Sequence, residues 1–175
     1  TALTTTNFYD IEVDPAGGKV YWSDWANDRI QRANLDGSGV ETILTLAASA
    51  QPIDIAGTKL YWGDIDGNIM RANLDGTSPE TLVTGLGVLE SLAVDSANGY
   101  IYWNEDNGLI QRAPMNTYIP EELADAFYID MDIDTVNGKI YLTDSDEVSE
   151  MNLDGSNLRT AVSYSGAWVL AVDSA

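Results

Sequence analysis

The feature that most constrains this chain is an internal repeat of about 40 residues. The segments KVYWSD, KLYWGD, YIYWNE and KIYLTD place four tyrosines at separations of 40, 41 and 39 residues, namely Tyr21, Tyr61, Tyr102 and Tyr141. Behind three of them, RANLDGSGVETIL, RANLDGTSPETLV and EMNLDGSNLRTAV follow at similar distances. A period of this length indicates one supersecondary unit that is stacked several times, because a single such unit cannot bury its own apolar surface.

Within each unit the apolar residues recur with a period of two, which predicts strands. In YIDMDIDTVNGKIYLTD, Ile129, Met131 and Ile133 alternate with aspartates, and Asn-Gly follows as a hairpin turn. The YW strand, a third strand that ends near Asp-Gly, and a fourth strand complete a four-stranded antiparallel meander. Inner strands are expected near residues 9–14, 51–56, 90–95 and 129–134. Such sheets, packed face to face, predict an all-β fold of the β-propeller type.

The linked motifs YWSD and IQRANLDGSGVETIL resemble the class B repeat of the low-density lipoprotein receptor, also called the YWTD repeat. The resemblance extends from about Phe8 to the end of the chain, and it implies blades of a six-bladed propeller. We therefore expect one partial propeller over residues 1–175, with blades near 8–46, 47–86, 87–125 and 126–165, and the first strand of a fifth blade at 166–175.

The last residues, WVLAVDSA, nearly repeat ESLAVDSA at 90–97, where the phrase continues into a YW strand. Because the first unit already has its own inner strand, this duplicate is expected to open a blade and not to close one. The hypothesis is that further blades of a longer chain, or a neighbouring subunit, cover the exposed faces. The alternative is a closed four-bladed ring with the last strand displaced onto an edge.

Several motif residues are predicted to serve the scaffold. Trp22, Trp62 and Trp103 share strand faces with aliphatic residues and should fill the space between blades. The carboxylates that follow them should accept backbone N–H bonds at the strand ends; these are Asp24, Asp64, Glu105 and Asp144. Leu142 and Glu150 depart from the repeat without threatening the fold, and Pro114 should shorten the third unit's third strand or make it bulge.

Composition narrows the classes of partner. The chain has 28 acidic and 8 basic residues, a formal net charge of −20, so nucleic acid and anionic membrane surfaces would be repelled. It contains no cysteine and no histidine, which removes disulfides, thiolate metal ligands and the commonest general base. No apolar run approaches the roughly 18 residues that a membrane-spanning helix needs.

Topology places the connections between strands 4 and 1 and between strands 2 and 3 of each meander on one face. We call this the loop face. It is strongly acidic, and it supplies the predicted partner-binding residues Trp25, Asp28, Asp66, Asp106 and Asp146. Trp25 lies in a polar loop outside the YW pairs, where a large aromatic side chain could anchor a partner or fold back onto its own blade.

The innermost strands carry carboxylates that suggest a cation site. Glu12, Asp54 and Asp132 occupy equivalent positions, and Asp130 begins one of the inner strands. Oxygen ligands of this kind suit Ca²⁺. The alternative is a wide, water-filled channel in which the same groups are only hydrated. Ca²⁺ is the one cofactor that the sequence suggests.

The function that these features favour is a non-catalytic extracellular or cell-surface module for binding or structure, whose acidic loop face contacts a protein or glycan. Two alternatives stay open. Six-bladed propellers also include calcium-dependent lactonases, so a hydrolase is the second hypothesis. An architectural unit of a tandem-repeat fibre is the third.

Overall fold

A computed structural model describes residues 7–164, 166 and 169–172. The chain divides into two compact units, Thr1–Leu89 and Glu90–Ala175. Over the described residues the only helix is a single 3-10 turn, Trp25–Asn27, and the other regular elements are strands in four antiparallel sheets of four. The predicted all-β class and the four-stranded meanders are therefore confirmed.

Each sheet contains four strands that are consecutive in sequence. The first blade consists of β1 (Phe8–Asp14), β2 (Lys19–Asp24), β3 (Arg29–Asn34) and β4 (Glu41–Thr45). The second consists of β5 (Ala50–Ala56), β6 (Lys59–Asp64), β7 (Ile69–Asn73) and β8 (Glu80–Val83). The third consists of β9 (Leu89–Asp95), β10 (Tyr100–Glu105), β11 (Leu109–Pro114) and β12 (Glu121–Asp125). The fourth consists of β13 (Asp130–Asp134), β14 (Lys139–Thr143), β15 (Glu147–Asn152) and β16 (Arg159–Ser163).

Every blade has two apolar faces, because alternate residues of a strand point to opposite sides of the sheet. We call the side that carries Trp22, Trp62, Trp103 or Leu142 the Trp face, and the side that carries the neighbouring tyrosine the Tyr face. All three tryptophans are at most 2% exposed, and Leu142 is fully buried in the same position. The predicted core role of the tryptophans is confirmed.

Within each unit, the Tyr face of one blade packs against the Trp face of the next. In Thr1–Leu89 the core joins Tyr21, Ile30 and Leu44 of the first blade to Ile53 and Trp62 of the second. In Glu90–Ala175 the same packing joins Tyr102 and Ile110 of the third blade to residues of the fourth, namely Met131, Ile140, Leu142 and Met151. The repeat therefore encodes one interface that is used again.

The Trp face of the first blade differs at its inner strand, although Trp22 on the same face is only 2% exposed. Ile11 and Val13 are 49% and 50% exposed, whereas Ile53, at the position equivalent to Ile11, is 1% exposed because the first blade covers it. Ile11 and Ile53 lie on the same side of their inner strands, so their exposure differs because a neighbouring blade covers Ile53 and not Ile11.

The prediction for Pro114 was wrong. Strand β11 extends to Pro114, which pairs with Tyr100, and β3 ends at the equivalent residue, Asn34, which pairs with Lys19. The outer pair of strands in this blade does contain a register shift, but the other three blades have it at the same place. Proline is tolerated because it is the last residue of its strand.

Candidate functional site

The carboxylates that follow the YW strands organise the loop-face turns. Asp64 Oδ1 accepts the amide N–H groups of Asp66 and Asn68, both at 3.0 Å. Asp144 Oδ1 accepts those of Asp146 and Glu147 at 2.7 and 2.9 Å. For these two turns the predicted role is confirmed.

The other two motif carboxylates bind side chains. Asp24 accepts Asn27 Nδ2 at 2.8 Å and forms an ion pair with Arg29 at 2.7 Å. Glu105 accepts Trp103 Nε1 at 3.1 Å and Asn107 Nδ2 at 3.0 Å. All four loop-face turns are therefore fixed by hydrogen bonds, so their outward-facing side chains are presented by rigid backbone.

All five predicted partner-binding residues lie in these turns and are exposed: Trp25, Asp28, Asp66, Asp106 and Asp146. The first three belong to Thr1–Leu89 and the last two to Glu90–Ala175. Trp25 is 49% exposed in the 3-10 turn that follows β2, so about half of its surface is available to a partner.

In the first unit, hydrogen bonds connect the turns of two neighbouring blades. The Ser49 hydroxyl donates to Asp28 Oδ1, and the Ser49 carbonyl accepts the Ile65 amide at 3.1 Å. Ile65 is 46% exposed and, like Trp25, directly follows a motif carboxylate. Trp25, Asp28, Ser49, Ile65 and Asp66 therefore form a connected patch of apolar and acidic groups, which we call the Trp25 patch.

Ser49 and Ile65 were missed by the sequence reasoning. Ile65 carried a usable signal, because it occupies the position after Asp64 that Trp25 occupies after Asp24. Ser49 carried none, since it lies in a connection between blades whose sequence does not repeat.

Inner-strand carboxylates link adjacent strands through backbone amides. Asp10 accepts the amides of Ile11 at 2.7 Å and of Ile53, its repeat equivalent in the next blade, at 2.9 Å. Asp130 accepts the amides of Met131 at 2.9 Å and Leu170 at 2.8 Å. Each carboxylate therefore accepts one amide within its own strand with one oxygen, and with the other oxygen an amide of the segment about 40 residues later.

Asp132 makes the same kind of bridge, from the Ile133 amide at 2.7 Å to the Val172 amide at 2.8 Å. Residues 169–172 thus lie beside β13, with Leu170 and Val172 half-buried. Of the predicted start of a fifth blade, residues 165, 167–168 and 173–175 lie outside the described part of the chain.

Burial raises the pKa of Asp130 above its ordinary value, and the neighbouring Asp132 carboxylate adds to the rise, although the hydrogen bonds from the Leu170 and Met131 amides oppose it. A raised pKa means that folding favours the protonated acid. The contribution of Asp130 to stability therefore falls as pH rises through the range between the ordinary and the raised pKa.

The predicted metal ligands do not form a metal centre in the part of the chain that the structure describes, where no three Asp, Glu, His or Cys side chains are grouped to hold an ion. Glu12 and Asp54 lie on the Tyr faces of their inner strands, opposite Tyr21 and Tyr61. The calcium site stays a prediction from the sequence.

The comparisons with known proteins agree with this geometry. Residues 18–56 match the family model described as low-density lipoprotein receptor repeat class B. These residues are therefore similar to one class B repeat. A stretch of 43 residues is 58% identical to low-density lipoprotein receptor-related protein 4 of Homo sapiens, and it covers 25% of this chain and 2% of that protein. The similarity to that protein thus covers about the length of one repeat.

Solved structures support a β-propeller fold over most of the chain. A crystal structure of a nidogen/laminin complex superposes with a TM-score of 0.82 at 19% identity, covering 95% of this chain and 68% of the other. A structural-genomics protein of unknown function from Bacteroides thetaiotaomicron superposes with a TM-score of 0.72 at 13% identity, covering 88% and 43%. The sheets are therefore β-propeller blades. No helix among the described residues has the length and apolarity needed to cross a membrane.

Proposed function

We propose that this chain is a non-catalytic, extracellular binding module that takes a protein partner on its loop face. The observation that carries the proposal is the Trp25 patch, in which Trp25 and Ile65 stand half-exposed beside Asp28 and Asp66 on hydrogen-bonded turns. Large aromatic side chains surrounded by polar groups are frequent anchors of protein interfaces. Rigid turns also reduce the entropy lost on binding.

The charge of the chain indicates what the partner should look like. A net charge of −20, with carboxylates in the loop-face turns, favours basic partners and speeds their approach. The exposed apolar groups of the Trp25 patch favour a partner that combines basic with apolar side chains. The similar nidogen structure is a complex with laminin, and this supports a protein partner over a glycan.

The calcium-dependent hydrolase is less well supported. Asp130 and Asp132, two of the carboxylates that it would need as metal ligands, are each engaged by two backbone amides. This engagement supports a structural role for both side chains.

Selection of peptides from a random display library tests the proposed function. Peptides selected on the wild-type chain should be rich in basic and apolar residues. Trp25→Ala should weaken their binding about 30-fold, as expected for an anchor worth roughly 2 kcal/mol. Val136→Ala is the matched control, because Val136 is 73% exposed in the turn between β13 and β14, away from the loop face.

Two results would contradict the proposal. Selected peptides could bind Trp25→Ala as tightly as wild type, or the chain could select no peptide and instead bind a glycan array in a Trp25-dependent way. The second result would keep the Trp25 patch as a site and change the class of its ligand.

The proposal includes a partner for the inner-strand part of the Trp face of the first blade, since Trp22 on the same face is already buried. Ile11 and Val13 are exposed there, and the interface inside each unit shows that the Tyr face of another blade covers such residues. In the purified protein a second copy would supply that face. Sedimentation at increasing concentration should show self-association that Ile11→Asp abolishes. A stable monomer at every concentration, with unchanged melting of the variant, would argue against a covered face.

A further inference from the structure

A cavity of about 350 Å³ lies on the loop face of the unit Glu90–Ala175. It forms where the turn after β10, the segment that leads into β13 and the turn after β14 meet. Phe127 and Ile129 provide apolar wall, and four carboxylates also line the space: Glu90, Glu105, Asp106 and Asp144. The volume is many times the roughly 30 Å³ of a water molecule, so a side chain of a partner can enter.

Phe127 lies next to the turn after β10 at this cavity. The side chain is 71% exposed, yet a Cβ built on Gly108 would lie 3.3 Å from its ring. The Ala126 amide donates to the Gly108 carbonyl at 2.8 Å, which ties the segment before Phe127 to the same turn. An exposed aromatic ring therefore lies beside the cavity and next to the turn after β10.

The carboxylates are arranged for an organic cation better than for a metal ion. Glu105 and Asp144 are oriented by the hydrogen bonds described above, and Asp106 is exposed at the rim. Among the described residues they do not gather into a group of three that could hold a metal. A guanidinium spreads its charge over a plane, presents several N–H donors and stacks on aromatic rings, so dispersed carboxylates beside a phenyl ring match it.

We infer that this cavity binds an arginine side chain of a protein partner, with the guanidinium against Phe127 and its N–H groups directed to Asp106 and the neighbouring carboxylates. The aliphatic part of the side chain would lie along Ile129. This site rests on the proposed binding function and adds to it a second contact, which is separate in sequence from the Trp25 patch.

The test is an NMR titration of the folded chain with the peptide acetyl-Gly-Arg-Gly-amide. Backbone signals of Asp106, Phe127 and Ile129 should shift with saturation. The matched peptide with citrulline, which keeps the shape and lacks the charge, should shift them far less. Phe127→Ala and Asp106→Asn should each weaken the arginine peptide by roughly fivefold, and Val136→Ala should leave it unchanged.

The outcomes separate the inference from its alternatives. Equal shifts with citrulline, or no shifts at Phe127 and Ile129 with arginine, would overturn it. Equivalent shifts with CaCl₂ alone would assign the cavity to a metal ion and would also overturn the inference. CaCl₂ shifts at a different set of residues would instead support the calcium site predicted from the sequence, namely at Glu12, Asp54, Asp130 and Asp132. Trp25→Ala should not change arginine-peptide binding. If arginine fails while Trp25-dependent peptides still bind, the proposed function stands and this site does not.

Discussion

Replacing Trp62 by alanine is expected to lower the free energy of unfolding by about 3–5 kcal/mol, the usual cost of removing a buried tryptophan. Trp62 is 1% exposed and lies in the core that joins the first two blades, among Tyr21, Ile30 and Ile53. The substitution would leave a cavity between two sheets whose strands are held by their own ladders, so the cavity cannot close easily. Chemical denaturation followed by circular dichroism measures the change.

Two variants make the Trp62 result specific. Trp25→Ala removes the same side chain from a half-exposed turn and should change stability by less than about 0.5 kcal/mol. Trp62→Leu should lie between the two, because Leu142 shows that a blade can be built with leucine in this position, while the neighbours of Trp62 are shaped for the larger ring. A Trp62→Ala variant as stable as Trp25→Ala would show that the interface between blades contributes little.

The sequence predicted the strands well because their pattern is short-range and repeated. Inner strands expected near 9–14, 51–56, 90–95 and 129–134 are Phe8–Asp14, Ala50–Ala56, Leu89–Asp95 and Asp130–Asp134. Alternation fixes which residues face the core, and the near-identical spacing of four units repeats the same evidence. Trp22, Trp62 and Trp103 could be assigned to the core for the same reason.

Compensating pairs were harder to predict, since they require the register between strands. Glu150 reads as a departure from Arg32, Arg71 and Arg112, yet it forms an ion pair with Arg159 at 2.7 Å. Arg159 stands where Glu41 pairs with Arg32, so the two charges have exchanged strands. A comparison of both columns of the repeat would have revealed this reversal.

The third blade shows the same effect with uncharged groups. In the other blades a lysine at the start of the second strand donates to an asparagine at the end of the third, as Lys19 does to Asn34 at 2.6 Å. Tyr100 and Pro114 replace this pair. The centre of the Tyr100 ring instead lies 4.6 Å from the guanidinium carbon of Arg112. Pro114 taken alone predicted a shortened or bulged strand. Taken together, Tyr100 and Pro114 show that one contact has been replaced by another.

The candidate sites were predicted only in part. Trp25 and the four loop aspartates could be assigned to the loop-face turns of their own blades because topology assigns each connection to a side of its sheet. Ser49 and Phe127 lie in connections whose sequences do not repeat. The sequence therefore carried no signal for the hydrogen bonds of Ser49 that link two turns, or for the aromatic side chain that lines the cavity. Asp130 and Asp132 each accept hydrogen bonds from two backbone amides. These bonds depend on the distance between neighbouring segments of the chain, and the spacing of the repeat does not predict that distance.

The second large effect is expected at Gly76, in the Asp-Gly turn of the second blade. Gly76 has φ +82°, and a Cβ at this position would lie 2.1 Å from the carbonyl oxygen of Ile43 in the first blade. Gly76→Ala should therefore lose about 1–2 kcal/mol for the left-handed backbone and a further 1–3 kcal/mol for overpacking against a main chain that cannot rotate away. The total, about 2–5 kcal/mol, is measurable by the same denaturation experiment.

Gly57 in the same blade provides the matched control. It also has a left-handed backbone, φ +62°, but a Cβ there would meet nothing within 4 Å. Gly57→Ala should therefore show only the backbone cost, about 1–2 kcal/mol, and the difference between the two variants isolates the contact between the blades.

Gly155 of the fourth blade approaches Leu123 of the third in the same way, with a Cβ at 2.9 Å from the Leu123 carbonyl oxygen. The loss of stability in Gly155→Ala should therefore be closer to that of Gly76→Ala than to that of Gly57→Ala. Equal losses for Gly76→Ala and Gly57→Ala would mean that the Asp-Gly turn serves its own hairpin alone. A clear excess at Gly76 and Gly155 would show that the glycine of NLDG is required by the neighbouring blade as well.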